Sequence, residues 1–162
     1  MIVPVNIRLL KEEPLHLQDE LSASQLDLAS GDELIEVVGP VGFDLRVQLV
    51  EEGILVRGRL SAGLRCLCAR CLQPFDREVL LDEWVCLVPL AGEDAAVVVN
   101  DCVDLTPYLR EDIFLALPQH PLCSNECQGL LQEYRRQQKL PPDSALGGES
   151  KSLWASLDQL NL

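Results

Sequence analysis

The sequence predicts an α+β fold. Its core is an antiparallel β-sheet or a partly open, barrel-like sheet. One clearly indicated helix and a helical or irregular C-terminal tail complete the predicted fold. Two central segments alternate apolar and polar residues with a period of two, and one later segment has apolar residues four positions apart. The 162 residues suit one ordinary domain, and 48% of them are apolar, enough to bury a sizeable core.

A hairpin is predicted near the centre of the chain. Apolar and polar residues alternate over residues 43–49 and over residues 54–66, a pattern that is typical of half-buried strands. Residues 51–53, Glu-Glu-Gly, suit the turn between the two strands. Further strands are predicted at residues 2–9, 75–90 and 95–99.

The register of this hairpin follows from the requirement that both apolar faces meet the same core. A pairing of Leu49 with Ile54 satisfies that requirement. It places two facing pairs on the solvent side, Arg46 with Arg57 and Asp44 with Arg59. Like charges in direct opposition cost some stability, so the two facing arginines suggest an anionic partner. A solvated surface compensated locally by an aspartate is the alternative.

One helix is predicted from its capping and its periodicity. Thr106 can cap the helix and Pro107 suits its first position. Apolar residues follow every four positions, at Leu109, Ile113 and Leu117. Pro118 ends the helix. A second helix is predicted at residues 127–140, whereas residues 15–30 are ambiguous between helix and loop.

The predicted organisation is one domain followed by a short tail. Residues 1–140 are expected to form a single α+β domain that includes a cysteine-pair metal site. Residues 141–162 are expected to form a linker and a short C-terminal segment, because residues 141–150 are rich in proline, glycine and serine.

The net charge of −13 excludes a generally basic protein that coats nucleic acid. The charge is uneven, since residues 46–77 hold six basic and three acidic residues while residues 78–133 hold one basic and eleven acidic residues. No apolar stretch is long enough to span a membrane and the first ten residues lack a basic leader, so a cytoplasmic location without membrane contact is expected.

Catalytic motifs are missing from the sequence. It contains no glycine-rich phosphate loop, no nucleophile elbow and no H-E-x-x-H motif. We therefore assign no catalytic residue, and we expect a protein that is not an enzyme and takes no small-molecule substrate.

Four of the seven cysteines form two short-spaced pairs. Cys68 and Cys71 make a C-x-x-C turn at the end of a predicted strand, and Cys123 and Cys127 make a C-x-x-x-C turn after the predicted helix. In a reducing compartment, clustered thiols usually serve metal or redox chemistry. Two such turns can close a tetrahedral zinc site, although the 51 residues between them mean that the fold must bring them together.

Alternative roles for these cysteines stay open. Cys66 can replace a ligand of the first pair, although its place on an apolar strand face fits a core residue. A thioredoxin-like redox pair at Cys68 and Cys71 needs a helix that starts at the first cysteine, and none is indicated there. His120 is a spare ligand candidate for which a loop role fits better.

Four motifs follow one another along the sequence in the same order as in a known protein family. R-C-L-C-A-R-C-L-Q-P-F stands at residues 65–75, and an acidic segment that ends in L-A-L-P stands at residues 104–118. P-L-C-S-N-E-C-Q-G-L follows at residues 121–130 and S-L-W-A-S-L-D-Q-L at residues 152–160. Together they resemble the YceD family, the large ribosomal RNA subunit accumulation proteins. Residues 131–134 depart from many relatives, which have a further C-x-x-C-G segment there, so one metal site is expected.

The resemblance implies a small bacterial or organellar factor that supports the accumulation of large-subunit ribosomal RNA. It implies a structural zinc ion whose ligands are Cys68, Cys71, Cys123 and Cys127. The expected partner is large-subunit ribosomal RNA or its precursor. The alternative is an acidic interaction module that binds a basic large-subunit ribosomal protein without RNA contact.

A stripe of arginines is the candidate RNA footprint. Its members are Arg46, Arg57, Arg59, Arg65, Arg70 and Arg77. Arginine suits phosphate because its planar guanidinium donates two hydrogen bonds at once. Salt confines the useful attraction to about 8–10 Å, so a local patch can act within an acidic protein.

Overall fold

The part of the chain that the structure describes forms two open antiparallel sheets, which confirms the predicted α+β class. A computed structural model describes residues 2–28 and 33–130. The elements in chain order are β1 (Pro4–Asn6), α1 (Ile7–Leu10), β2 (Leu15–Ser22), β3 (Ile35–Val50), β4 (Gly53–Leu67), β5 (Pro74–Pro89), β6 (Cys102–Asp104) and α2 (Thr106–Ala116). One sheet has the order β2-β3-β4-β5 and the other pairs β1 with β6, and the described strands do not close into a barrel.

The chain divides into two units, Met1–Cys127 and Gln128–Leu162. All elements given above belong to the first unit. Of the second unit, only residues 128–130 are described. The predicted linker, the C-terminal segment and residues 131–140 of the helix predicted at residues 127–140 therefore lie outside the described residues.

The central hairpin forms with the predicted register. The observed partners are Leu49 with Ile54, Arg46 with Arg57, and Asp44 with Arg59. At Gly58 the two strands approach so closely that a Cβ atom would clash with the carbonyl oxygen of Asp44. Glycine is therefore required at this position, since any larger residue would push β3 away.

The strand predicted at residues 75–90 is confirmed as β5. Its register against β4 shifts between Gly58 and Leu60, because β5 contains one extra residue there. The core-facing positions of β5 accordingly change from odd numbers, such as Val79, to even numbers, such as Trp84. This bulge is the physical reason for the loose alternation of β5.

Residues 15–30 contain a strand that neither predicted alternative anticipated. Leu15–Ser22 pairs with β3 along its whole length as the edge strand β2. Asp19 occupies a core-facing position opposite Phe43, and it stays exposed at the sheet edge. This carboxylate interrupts the apolar alternation that would have indicated a strand.

Two other predicted strands are wrong in whole or in part. Residues 95–99 form no strand, and within them only Val99 makes a bridge, to Cys102 across a tight turn. Of residues 2–9, only the segment Pro4–Asn6 is a strand, because α1 begins at Ile7.

The core lies on one face of the larger sheet. Alternate residues of β3 and β4 are fully buried there, among them Leu45, Val47, Ile54 and Val56. Leu109 and Ile113 of α2 are buried in the same cluster, as their four-residue spacing predicts. In addition, the indole Nε1 of Trp84 donates a 2.6 Å hydrogen bond to Asp112, which joins β5 to α2.

The start of α2 differs from the predicted cap. Leu105 occupies the cap position and makes no side-chain hydrogen bond, while Pro107 lies in the first turn. The hydroxyl of Thr106 instead accepts a 3.1 Å hydrogen bond from the backbone N–H of Val3 and donates one to Asp104. Thr106 therefore connects the N-terminal segment to the junction of β6 and α2. Among the described helices, none has the length and apolar character needed to cross a membrane.

Candidate metal centre and the charged sheet face

The first cysteine pair lies in the turn between β4 and β5. The N–H of Cys68 donates to the carbonyl of Gln73 at 3.0 Å, and the N–H of Leu72 donates to the carbonyl of Cys68 at 2.8 Å. Leu72 has a φ of 57°, in the left-handed region that a leucine adopts only at some cost. Both Cys68 and Cys71 are buried.

The second cysteine pair lies in the segment that follows α2. A turn forms there, in which the N–H of Cys127 donates to the carbonyl of Ser124 at 3.2 Å. The N–H of Ala69 donates to the carbonyl of Pro121 at 2.8 Å, which attaches this segment to the first cysteine turn. Cys123 is exposed and Cys127 is half-buried.

The fold brings the four predicted ligands together. Their sulfur atoms all lie within 4.8 Å of one another. The two short separations are 3.7 Å between Cys68 and Cys127 and 3.8 Å between Cys71 and Cys123. A zinc ion with four bonds of about 2.3 Å in a tetrahedron sets its sulfur ligands about 3.8 Å apart. The cluster can therefore hold a metal ion.

The close packing of the cluster separates the pKa values of Cys68, Cys71 and Cys123. Hydrogen bonds, the strongest from the backbone of Cys123, lower the pKa of Cys68 to about 6. The side chain of Cys127 raises the pKa of Cys123 to about 12. The backbone of Gln73 lowers the pKa of Cys71, but burial and the neighbouring thiols raise it more. A divalent cation favours ionisation of all four thiols, as a thiolate metal site requires.

The remaining cysteine alternatives fit the structure less well. Cys66 is fully buried on the core face of β4, in an apolar cluster with Leu64 and Val79. Residues 68–73 form a turn that leads into β5, so the described residues provide no helix dipole for a thioredoxin-like pair. His120 is exposed and lies outside the four-sulfur cluster.

The predicted arginine stripe is only partly assembled. Four of its members lie on the solvent face of the sheet, Arg46, Arg57, Arg59 and Arg65. Arg77 lies on the opposite face, because it pairs with the buried Leu64 across β4 and β5. Arg70 lies in the first cysteine turn, where its Nη1 donates a 3.0 Å hydrogen bond to the carbonyl oxygen of Cys127.

Aspartates of β5 pair with half of the arginines on the solvent face. The two ion pairs are Arg59 with Asp82 at 2.7 Å and Arg65 with Asp76 at 3.6 Å. The nearby carboxylate of Asp44 lies 2.5 Å from Nε2 of His16. Arg46 and Arg57 are exposed, and among the described residues neither has a carboxylate partner.

Comparison with known proteins decides the family. A sequence model described as "Large ribosomal RNA subunit accumulation protein YceD" matches residues 56–161. This chain belongs to the YceD family. The match includes both cysteine pairs, so the site described above lies within the part of the chain that defines the YceD family.

The relatives of this YceD-family chain include uncharacterized mycobacterial proteins. One from Mycobacterium tuberculosis (strain ATCC 25618 / H37Rv) is 35% identical over 96 residues, which cover 54% of this chain and 46% of the relative. One from Mycobacterium leprae (strain TN) is 32% identical over 108 residues, which cover 62% and 50%. The chain thus spans about half the length of these curated relatives. No solved structure matches it.

The sequence of this YceD-family protein did not reveal the two aspartates that form ion pairs with members of the arginine stripe. Asp76 and Asp82 both lie on β5, and their partners depend on how β5 aligns with β4. The only signal in the sequence was the cysteine turn, which fixes that alignment. The bulge in β5 then moves Asp82 relative to a regular register.

Proposed function

We propose that this YceD-family protein is a non-enzymatic, cytoplasmic factor that supports the accumulation of large-subunit ribosomal RNA and carries one structural zinc ion. The ligands are Cys68, Cys71, Cys123 and Cys127, whose sulfur atoms lie within 4.8 Å of one another. That convergence is the observation that carries the metal assignment. Membership of the YceD family supports the role in ribosomal RNA accumulation.

Zinc suits this donor set because it accepts four thiolates in a tetrahedron and has no redox chemistry. Four protein ligands leave no open position for a substrate, so the ion has a structural role. It would join the end of β4 to the segment after α2. These two parts of the chain are separated by 51 residues, so the ion closes a long loop.

The RNA contact is assigned to Arg46 and Arg57. The two side chains face each other across β3 and β4 and are exposed, whereas Arg59 and Arg65 are engaged by aspartates. Two adjacent guanidinium groups can each donate two hydrogen bonds to a phosphodiester. Because the net charge of −13 repels distant phosphates, this contact acts only at short range.

A second function is supported by the aspartates on the same sheet face. Asp76 and Asp82 neutralise two arginines of the stripe, and the exposed carboxylates of Glu78 and Glu83 on β5 add an acidic surface. Such a surface suits an interaction module that binds a basic large-subunit ribosomal protein. In that case, Arg46 and Arg57 would have no role in binding.

Depletion of the protein in its own cells tests the proposed function. We expect the ratio of large-subunit to small-subunit ribosomal RNA to fall, and the wild-type protein to restore it. An unchanged ratio would contradict both candidates. Complementation with the double variant Arg46→Gln, Arg57→Gln separates them, because the RNA-binding function predicts failure to restore the ratio and the interaction module predicts full restoration.

A further inference from the structure

Arg70 lies between the cysteines of the first turn, and its side chain reaches the second turn. Its Nη1 donates a 3.0 Å hydrogen bond to the carbonyl oxygen of Cys127, 57 positions later in the chain. Among the described residues Arg70 has no carboxylate partner, unlike Arg59 and Arg65. Its guanidinium is thus committed to the backbone of a candidate metal ligand.

A second hydrogen bond joins the two cysteine turns through the backbone. The N–H of Ala69 donates to the carbonyl of Pro121 at 2.8 Å, two residues before Cys123. The two hydrogen bonds therefore lie at opposite ends of the second cysteine segment, and neither involves a sulfur atom. Contacts of this kind hold the ligands close together before an ion binds, which reduces the ordering entropy that binding has to overcome.

The positive charge of Arg70 also favours binding of the metal ion. Four thiolates around one divalent ion carry a net charge of −2, which a nearby cation stabilises. Arg70 is the only charged residue in the segment 68–73. In the second turn, the exposed Glu126 has the opposite effect on the same charge.

We propose that Arg70 is a positioning residue of the metal centre, which fixes the backbone of Cys127 and balances the thiolate charge, and that it does not contact RNA. This inference rests on the proposed metal centre. Loss of a residue that orients a metal ligand typically lowers metal affinity about 10–100-fold. We expect a loss of that size in Arg70→Met, which keeps the apolar stem but lacks both donor and charge, and a smaller loss in Arg70→Lys.

The test titrates the purified full chain with zinc in competition with a chelator. Cobalt(II) is added in a parallel titration, because its absorption spectrum reports a tetrathiolate site. Arg70→Met should bind zinc about 10–100-fold more weakly with an unchanged cobalt spectrum. Arg59→Met is the matched control, since it removes an exposed arginine from the sheet face, and it should bind zinc as tightly as the wild type.

The outcomes separate this inference from the proposed function. Wild-type affinity in Arg70→Met overturns the role of Arg70 and leaves the metal centre intact. An equal loss in Arg70→Met and Arg59→Met also overturns it, because the effect would then be one of net charge. A wild-type protein that binds no zinc overturns the metal centre, and this inference with it.

Discussion

Arg46 of β3 and Arg57 of β4 lie directly opposite each other on the solvent side of the sheet, and neither has a carboxylate partner among the described residues. The fold therefore retains a repulsive pair that it could relieve with an aspartate, as it does at Arg59 and Arg65. An anionic partner that binds both arginines would explain why the fold retains this repulsion.

Replacement of Arg57 by glutamine should stabilise the isolated protein, because it removes this repulsion. We expect the free energy of unfolding to rise by about 0.2–1 kcal/mol, measured by urea denaturation. The matched control is Arg59→Gln, which loses the ion pair with Asp82 and should lower the free energy of unfolding by up to about 1 kcal/mol. Equal destabilisation by both substitutions would argue against a repulsive pair.

The metal centre predicts one zinc ion per chain, measured by elemental analysis of the purified protein. Cys127→Ser should lower the zinc content and the thermal transition temperature, because three ligands hold the ion poorly. Cys86→Ser is the control, since Cys86 is half-buried and lies outside the cluster. Full zinc content in Cys127→Ser would show that the ion lies elsewhere.

Zinc binding should be coupled to proton release. At about pH 7.5 the thiols of Cys71 and Cys123 keep their protons because their pKa values are raised, so each must lose one when zinc binds. Cys68, with a pKa of about 6, is already ionised at that pH. We therefore expect at least two protons released per ion, measured by calorimetry in buffers of different ionisation enthalpy.

The same pKa values predict how zinc affinity changes with pH. Zinc affinity should rise with pH, and it should fall more steeply below about pH 6, where Cys68 also takes up a proton. An affinity that does not change between about pH 6 and pH 8 would contradict thiolate ligation.

The hydrogen bond from Trp84 to Asp112 predicts that substitution of Asp112 lowers the free energy of unfolding. Asp112→Ala leaves the indole N–H of a residue that is only 7% exposed without its acceptor, so we expect a loss of about 1–3 kcal/mol in the free energy of unfolding. Asp112→Asn keeps an acceptor oxygen and should lose less. Urea denaturation measures both, with the exposed neighbour Glu111 replaced by alanine as the control.

The central hairpin could be predicted in detail because its information is local. One face of β3 and β4 is buried, and a shift of one residue would expose the whole apolar set, so the apolar alternation determines the register that pairs Leu49 with Ile54. The four cysteines of the candidate metal site could be selected from their spacing for a similar reason, since each turn presents its own pair, and the structure brings their sulfur atoms within 4.8 Å of one another.

Other features could not be predicted because they depend on tertiary context. Asp19 breaks the apolar pattern of β2, and only pairing with β3 reveals the strand. Arg77 and Val79 lie on the core-facing side of β5, and the bulge in β5 then reverses the parity of later positions. Arg77 could therefore not be assigned to a face from the looser alternation of β5.

Crosslinking by ultraviolet light in the native cells tests the proposed RNA contact most directly. The measurement compares RNA recovered with the wild type, with Arg46→Gln, Arg57→Gln, and with the control Arg59→Gln, Arg65→Gln. We predict that a discrete segment of large-subunit ribosomal RNA is enriched with the wild type and the control and lost with the first double variant. Recovery of ribosomal proteins without crosslinked RNA would contradict the RNA contact and favour the acidic interaction module.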